Sequence, residues 1–123
     1  MPQKVTKATT KRNLPKEIKL TVQTSLGKKA EGLSVLELRE LSSFTDYFLI
    51  MHGNSTRQNG AIAEGIESEL KKAGIRPLSV EGRDSADWIL MDYGHFIVHI
   101  FSPKAREYYS LEKLWGDAPR LSF

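Results

Sequence analysis

Residues 46–74 read DYFLIMHGNSTRQNGAIAEGIESELKKAG, and the two halves of this stretch have different hydrophobic patterns. The first seven residues are apolar and aromatic without alternation, which is typical of a strand covered on both faces. In the second half, Ile62, Ile66 and Leu70 recur every four residues, as on one face of an amphipathic helix. A buried strand followed by an amphipathic helix indicates an α/β protein.

The bounds of this helix are marked by capping residues. Ser55 is followed three residues later by Gln58, which predicts a capping box in which each side chain binds a free backbone N–H group. Gly74 is expected to end the helix, because glycine readily adopts the left-handed conformation found just past a helix C-terminus.

On the N-terminal side, the pattern predicts one helix and one strand. Leu14, Ile18, Val22 and Leu26 form an apolar stripe beside Pro15, so we expect a helix that runs to about residue 29. Residues 33–41 alternate well enough for a strand whose Leu36 and Leu38 side chains point inward, and two serines follow as a turn.

On the C-terminal side, we expect three strands and a last helix. Residues 77–81 form a short strand, and residues 88–92 and 96–101 flank Tyr93-Gly94 as a hairpin. A helix capped by Ser102-Pro103 follows and ends at residues 116–119. The element order is therefore α-β-β-α-β-β-β-α, an α/β fold with a mixed five-stranded sheet and flanking helices.

The predicted sheet has more apolar surface than the helices can cover. Three of its strands are apolar on both faces, and if the two long helices share one face, only the C-terminal segment covers the other. A large exposed apolar patch usually marks a partner surface. The same face could also serve a twofold homodimer.

Composition limits the class of protein. The chain has 123 residues, of which 40% are hydrophobic and 27% charged, so we expect one domain over residues 14–123. Cysteine is absent, which excludes disulfides and thiolate chemistry. No apolar run approaches the roughly 20 residues of a membrane helix, and the first residues lack a signal-peptide core. We therefore expect a cytoplasmic protein without membrane contact.

The positive charge is concentrated at the N-terminus. Residues 1–13 contain four cations, Lys4, Lys7, Lys11 and Arg12, and no acid, so the net charge of +3 falls to −1 for the remainder. We expect a disordered basic tail over residues 1–13, followed by a nearly neutral domain. A groove for direct, sequence-specific nucleic-acid binding is not expected.

The histidines and the Gly-Asn-Ser loop are the remaining candidates for a metal or a nucleotide site. His52, His95 and His99 are not spaced to converge on a metal ion, so no metal or cofactor site is expected. Residues 53–55 (Gly-Asn-Ser) lie between a strand and a helix N-terminus, where a nucleotidyltransferase binds phosphate, but no pair of carboxylates follows to hold metal ions. A nucleotide-binding enzyme therefore stays an alternative, as does an RNA-binding module that uses the basic tail and Arg57.

Aromatic residues of the C-terminal half favour protein binding over catalysis. Trp88 shares a predicted strand face with Leu90 and Asp92, and tryptophan and tyrosine are the commonest anchors of protein interfaces. The charges near Trp88 are mostly acidic, which suits a basic protein surface better than phosphate. The predicted partner-binding residues are Asp87, Trp88, Asp92, Tyr93, Tyr109, Glu112, Lys113 and Trp115.

A set of ordered motifs resembles one family. TDYFLI (45–50), GNS-x-RQ (53–58), EG (81–82), SADWILMDYG (85–94), VHIF (98–101) and R-x-x-Y-x-LEKLW (106–115) resemble the ribosomal silencing factor (Iojap-related) family over about residues 14–118. The resemblance implies a non-enzymatic factor with a degenerate nucleotidyltransferase-like fold. It also implies a repressor of translation that binds the large ribosomal subunit through ribosomal protein number fourteen and blocks joining of the small subunit when nutrients are scarce.

Overall fold

The computed structural model describes residues 13–123. Apart from Asn13, the predicted basic tail lies outside the described residues. The helices and strands follow in the order α1 (Lys16–Gly27), β1 (Glu31–Glu37), β2 (Tyr47–His52), α2 (Thr56–Lys72), β3 (Ser79–Glu81), β4 (Trp88–Asp92), β5 (Phe96–Phe101), α3 (Pro103–Tyr109), α4 (Leu111–Leu114) and β6 (Arg120–Ser122).

Within residues 13–123 the strands form one mixed sheet in the order β3-β4-β5-β2-β1-β6. The central pair β2–β5 is parallel and the other pairs are antiparallel, which confirms the predicted mixed sheet. The prediction of five strands was wrong. The sixth strand, β6, has only three residues and pairs with the edge of β1, so it carries no periodic pattern by which the sequence could reveal it.

Both long helices pack on one face of the sheet, which is the arrangement that leaves the other face to the C-terminal segment. Ile18 and Val22 of α1 and Ile62, Ile66 and Leu70 of α2 are buried there against β1, β2, β4 and β5. The stripe of α1 stops one turn early, because Leu26 is 44% exposed and the helix ends at Gly27 rather than near residue 29.

The capping motifs of α2 are largely confirmed. The Ser55 Oγ accepts a hydrogen bond from the Gln58 N–H at 3.0 Å, and Gly74 has φ of +82° just beyond the helix. The second half of the capping box is shifted by one residue, since the Gln58 Oε1 accepts from the Asn54 N–H at 2.7 Å rather than from that of Ser55.

Two segments differ from their predictions. The first strand covers residues 31–37 instead of 33–41, and its last five residues are all buried because both faces of β1 are covered. The predicted last helix is two short helices, α3 and α4. They are separated at Ser110, whose φ of +48° is incompatible with a continuous right-handed helix.

Among residues 13–123, the helices that cover the second face of the sheet come only from the C-terminal segment, as expected from the shortage of helices. Leu36, Phe48, Ile50, Ile97 and Phe101 form its buried centre. The residues packed over this centre are themselves only partly buried, and neither α3 nor α4 contains a buried residue. This face is therefore the incompletely covered side of the sheet.

Candidate functional site

A continuous row of rings crosses the incompletely covered face. From one end to the other the ring centroids lie 5.0, 4.5, 5.9, 4.4 and 6.4 Å apart. We name this row the aromatic stripe; in spatial order it consists of Tyr108, Tyr109, Trp88, His99, Phe48 and Phe44. Strands β4, β5 and β2 supply its centre, helix α3 supplies one end, and the β1–β2 loop supplies the other.

The stripe is buried at its centre and exposed at its ends. Tyr108 and Phe44 are 79% and 61% exposed, and Tyr109 is 47% exposed. Trp88 is half-buried, whereas His99 and Phe48 are buried. Exposed aromatic side chains on a firmly packed base are typical of protein interfaces, because such rings lose little conformational freedom on binding.

The Trp88–Tyr109 pair packs against a third ring and lies beside a groove. The Trp88 ring lies 5.0 Å from Phe101 and 4.5 Å from Tyr109, tilted against both. The backbone carbonyl of Asp87 accepts a hydrogen bond from the Ser102 N–H at 2.8 Å, which ties the start of β4 to the start of α3. A groove of about 470 Å³ beside the pair is lined by Ser85, Asp87, Lys104 and Tyr108 as well as by the pair itself.

Gly82 allows the chain before β4 to pass close to the backbone of Trp88. Gly82 has φ of +86°, and a Cβ atom added there would overlap the carbonyl oxygen of Trp88. Gly82→Ala is therefore expected to lower the free energy of unfolding by about 2 kcal/mol or more. Gly60→Ala is the matched control: its Cβ meets open space inside α2, so it should be neutral or stabilising by up to about 1 kcal/mol. Urea unfolding measures both, and equal effects would contradict this account of Gly82.

The three predicted acidic residues have different surroundings. Asp87 is exposed beside Trp88, as a partner contact requires. Asp92 lies at the far end of β4, where its Oδ1 accepts a hydrogen bond from the Gly94 N–H at 2.8 Å and so holds the hairpin turn. Glu112 is mostly enclosed by its own chain, with a side chain that is 18% exposed, and its contact with a partner stays a prediction.

Glu112 joins the C-terminal segment to the sheet. Its carboxylate binds Arg106 through two hydrogen bonds of 2.6 and 3.1 Å, and it accepts a third of 3.1 Å from the Ser34 hydroxyl of β1. Arg120 of β6 lies 3.1 Å from the same carboxylate. Burial raises the pKa of Glu112, but the hydrogen bonds and positive charge of Arg106, with Arg120 and Ser34, lower that pKa more, so the net direction is downward.

The other predicted site residues lie in different parts of the fold. Tyr93 was expected on the partner surface, but it is buried on the opposite face, where it stacks on Phe96 at 4.8 Å because it continues β4 beyond Asp92. Trp115 is half-buried with its ring edge-on to Phe48 at 6.0 Å, and Lys113 is exposed on α4. Among the predicted residues, Asp87, Trp88 and Tyr109 therefore form the compact exposed group.

Sequence reasoning missed Phe44, Tyr108 and Leu114. Leu114 is 73% exposed on α4, and a single exposed apolar residue has no periodic pattern that distinguishes it from a core residue. Phe44 follows a polar turn rather than belonging to a strand, which is a signal that could have marked it as exposed. Tyr108 could not be separated from Tyr109 before the break at Ser110 was known.

The loop over residues 53–55 is filled by the protein's own side chains. The Asn54 N–H donates to the Gln58 side chain, and the Asn54 side chain donates to the Glu31 carboxylate at 3.0 Å. The Ser55 hydroxyl is engaged as the helix cap. A carboxylate next to the loop opposes phosphate binding, so this arrangement fits a helix cap better than a nucleotide site.

The three histidines contact different partners. His52 meets Arg106 at 2.9 Å, His95 pairs with Glu17, and His99 accepts from the Trp88 indole at 3.0 Å. Among residues 13–123, no group of three or more His, Cys, Asp or Glu side chains is arranged to hold a metal ion. Within the same residues, no helix has the length and hydrophobicity needed to cross a membrane.

The family of the chain follows from its sequence profile. Residues 11–123 match the family described as ribosomal silencing factor during starvation, which is more than nine-tenths of the chain. The chain belongs to the ribosomal silencing factor family. The predicted resemblance is thus confirmed, and with it the assignment to the regulators of translation that this family comprises.

Individual ribosomal silencing factors agree with the profile. The factor of Bacillus subtilis is 44% identical over 102 residues, which cover 83% of this chain and 86% of that one. A mouse protein named mitochondrial assembly of ribosomal large subunit protein 1 is 32% identical over 102 residues, 80% of this chain and 45% of its own. A crystal structure of a Chromobacterium violaceum protein superposes with a TM-score of 0.79 at 33% identity, covering 81% of this chain and 83% of that chain.

Proposed function

We propose that this ribosomal silencing factor represses translation by docking on ribosomal protein number fourteen of the large subunit, where it blocks association with the small subunit. The observation that carries the proposal is the half-buried Trp88 packed against the exposed Tyr109, beside Asp87 at one end of the aromatic stripe. The family description supports a ribosomal partner, and the name of the mouse relative, which refers to the ribosomal large subunit, supports that subunit in particular.

The charges around the pair favour a protein partner over RNA. Asp84 and Asp87 are exposed, and within the described residues neither side chain takes part in an ion pair. Arg83, the nearest cation in sequence, is already paired with Glu67 on α2. Lys104 lines the groove beside the pair together with Asp87, and Lys113 lies on α4, so the exposed charges near Trp88 are mostly but not exclusively acidic. An acidic rim would attract basic residues of a ribosomal protein and set the orientation of docking.

Inhibition in this mechanism requires occupancy alone. A protein bound where the small subunit must approach competes with it by mass action. At a concentration 100 times its dissociation constant, such a competitor shifts an association equilibrium by about 2.7 kcal/mol, which is roughly a hundredfold. No bond is made or broken in the step, so we propose a non-enzymatic factor on a degenerate nucleotidyltransferase-like fold, with a cytoplasmic site of action.

Two measurements test the proposal directly. The protein should co-sediment with purified large subunits and not with small subunits, and in excess it should slow the light-scattering increase that accompanies subunit association. Large subunits reconstituted without ribosomal protein number fourteen should lose the binding. Unchanged subunit association in the presence of saturating protein would overturn the steric mechanism, and binding to subunits lacking that ribosomal protein would overturn the docking partner.

The enzyme and RNA alternatives predict other results. A residual nucleotidyltransferase would bind ATP with magnesium at residues 53–55, and Ser55→Trp would destroy that binding in calorimetry. An RNA-binding module using the basic tail and Arg57 would bind protein-free ribosomal RNA, with an affinity that falls steeply with salt. The hydrogen bonds that already engage Asn54 argue against the nucleotide site.

Self-association would use the same apolar face. A homodimer formed through the aromatic stripe would bury Trp88 and Tyr109, and it would then compete with docking on the ribosome. We propose that any such dimer dissociates on docking. Sedimentation velocity at increasing concentration measures the dimer, and a stable dimer that co-sediments intact with large subunits would contradict this competition.

A further inference from the structure

We propose that His99 is a positioning residue for docking: its Nδ1 atom holds the Trp88 indole in the orientation that meets the partner. This inference deepens the proposed function and rests on it. The carrying observation is the 3.0 Å hydrogen bond from the Trp88 Nε1–H to the His99 Nδ1. The bond joins a half-exposed side chain to one that is 3% exposed.

His99 is held firmly enough to act as an anchor. It lies on β5, which is paired on both sides, with β4 and with β2. The edge of its ring meets Phe48 at 4.4 Å, and its plane is within 8° of that of Phe101 at 6.0 Å. A side chain packed in this way has little rotational freedom, so a bond to it restricts the indole.

The bond also determines the tautomer of His99. Because Nδ1 accepts the indole proton, the ring proton of neutral His99 must be on Nε2, an atom that is buried and has no hydrogen-bond partner within the described residues. Burial lowers the pKa of His99 to about 3, so the ring stays neutral and Nδ1 remains an acceptor at ordinary pH. The indole is therefore held in the same way across the physiological pH range.

Holding the indole before docking strengthens binding. A free tryptophan side chain would have to be ordered when the partner arrives, and the lost freedom would weaken the complex. In this chain the Trp88 ring is already packed against both Phe101 and Tyr109, while its hydrogen bond satisfies the indole N–H. The remaining ring surface is free to contact a partner without leaving a polar group unpaired.

The test compares three substitutions of His99 in the full chain. His99→Phe keeps a ring of similar shape but removes the acceptor. His99→Asn places an amide oxygen near the position of Nδ1, whereas His99→Gln, the matched control, extends its amide past that position. We expect affinity for purified large subunits to fall about tenfold in His99→Phe and His99→Gln, and to recover substantially in His99→Asn.

A second measurement separates positioning from general stability. The indole N–H resonance of Trp88, assigned by its loss in Trp88→Phe, should exchange slowly with solvent in the wild type and in His99→Asn. It should exchange quickly in His99→Phe and His99→Gln. If His99→Phe does not fold, the comparison of the asparagine and glutamine variants decides, because both replace the ring by an amide.

The outcomes distinguish this inference from the proposed function. Wild-type affinity in folded variants that have lost indole protection would overturn the positioning role alone. Equal loss of affinity in the asparagine and glutamine variants would also overturn it, since the acceptor would then be irrelevant. A wild-type chain that does not bind large subunits would overturn the proposed function itself, even though its indole proton is protected.

Discussion

Trp88→Glu is expected to abolish co-sedimentation of the protein with large ribosomal subunits. Tryptophan anchors at protein interfaces typically contribute about 2–4 kcal/mol, which corresponds to a loss of about 30- to 1,000-fold in affinity. The substitution removes the ring that contacts Tyr109, and its new carboxylate adds to the negative charge of Asp84 and Asp87. Pelleting through a sucrose cushion at several protein concentrations measures the loss.

The control for this substitution is Leu26→Glu. Leu26 is an exposed apolar residue of α1 on the opposite side of the sheet. Its replacement by glutamate therefore introduces the same change of polarity at a position away from the aromatic stripe. We expect it to retain binding. Circular dichroism and urea unfolding should show that both variants are folded. Full binding by a folded Trp88→Glu chain would remove Trp88 from the docking surface.

Much of the fold follows from the sequence because periodicity reports burial. The strand over residues 46–52 and the helix after Ser55 were predictable, since one is apolar on both faces and the other has a clear stripe and cap. Strand β6 was not predictable, because three residues cannot show a period and its pairing with β1 is a long-range event. The break at Ser110 was equally hidden, since serine has no strong preference for positive φ.

The candidate site was only partly predictable, because residue type does not reveal the direction of a side chain. Trp88 and Tyr109 were identified as aromatic residues of the C-terminal half, and the structure brings them to 4.5 Å. Tyr93 was placed on the wrong face, since the hairpin turns around Gly94 only after Tyr93 has paired with Phe96. The role of Glu112 depends on Ser34, which is 78 residues away in sequence, and no local pattern contains that information.

Glu112→Ala is expected to destabilise the C-terminal segment by about 2–4 kcal/mol. The substitution leaves Arg106, whose side chain is only 15% exposed, without its carboxylate, and removing one partner of an enclosed ion pair is costly. Because α3 and α4 contribute no fully buried residue, this network is a principal tie between the segment and the sheet. Hydrogen exchange should therefore quicken first over residues 103–118, and Tyr109 should lose its fixed place beside Trp88.

The pH dependence of this effect has a definite sign. The pKa of Glu112 in the folded chain is below its ordinary value of 4.5, so its contribution to stability is present above pH 4.5 and is lost as the pH falls through the folded pKa. The difference in unfolding free energy between wild type and Glu112→Gln should accordingly shrink in acid.

The matched control for Glu112→Ala is Glu69→Ala, which breaks an exposed pair with Lys72 and should lower the free energy of unfolding by no more than about 0.5 kcal/mol. A cost for Glu112→Ala as small as that control would show that packing, and not the Arg106–Glu112 network, holds the segment that carries Tyr109.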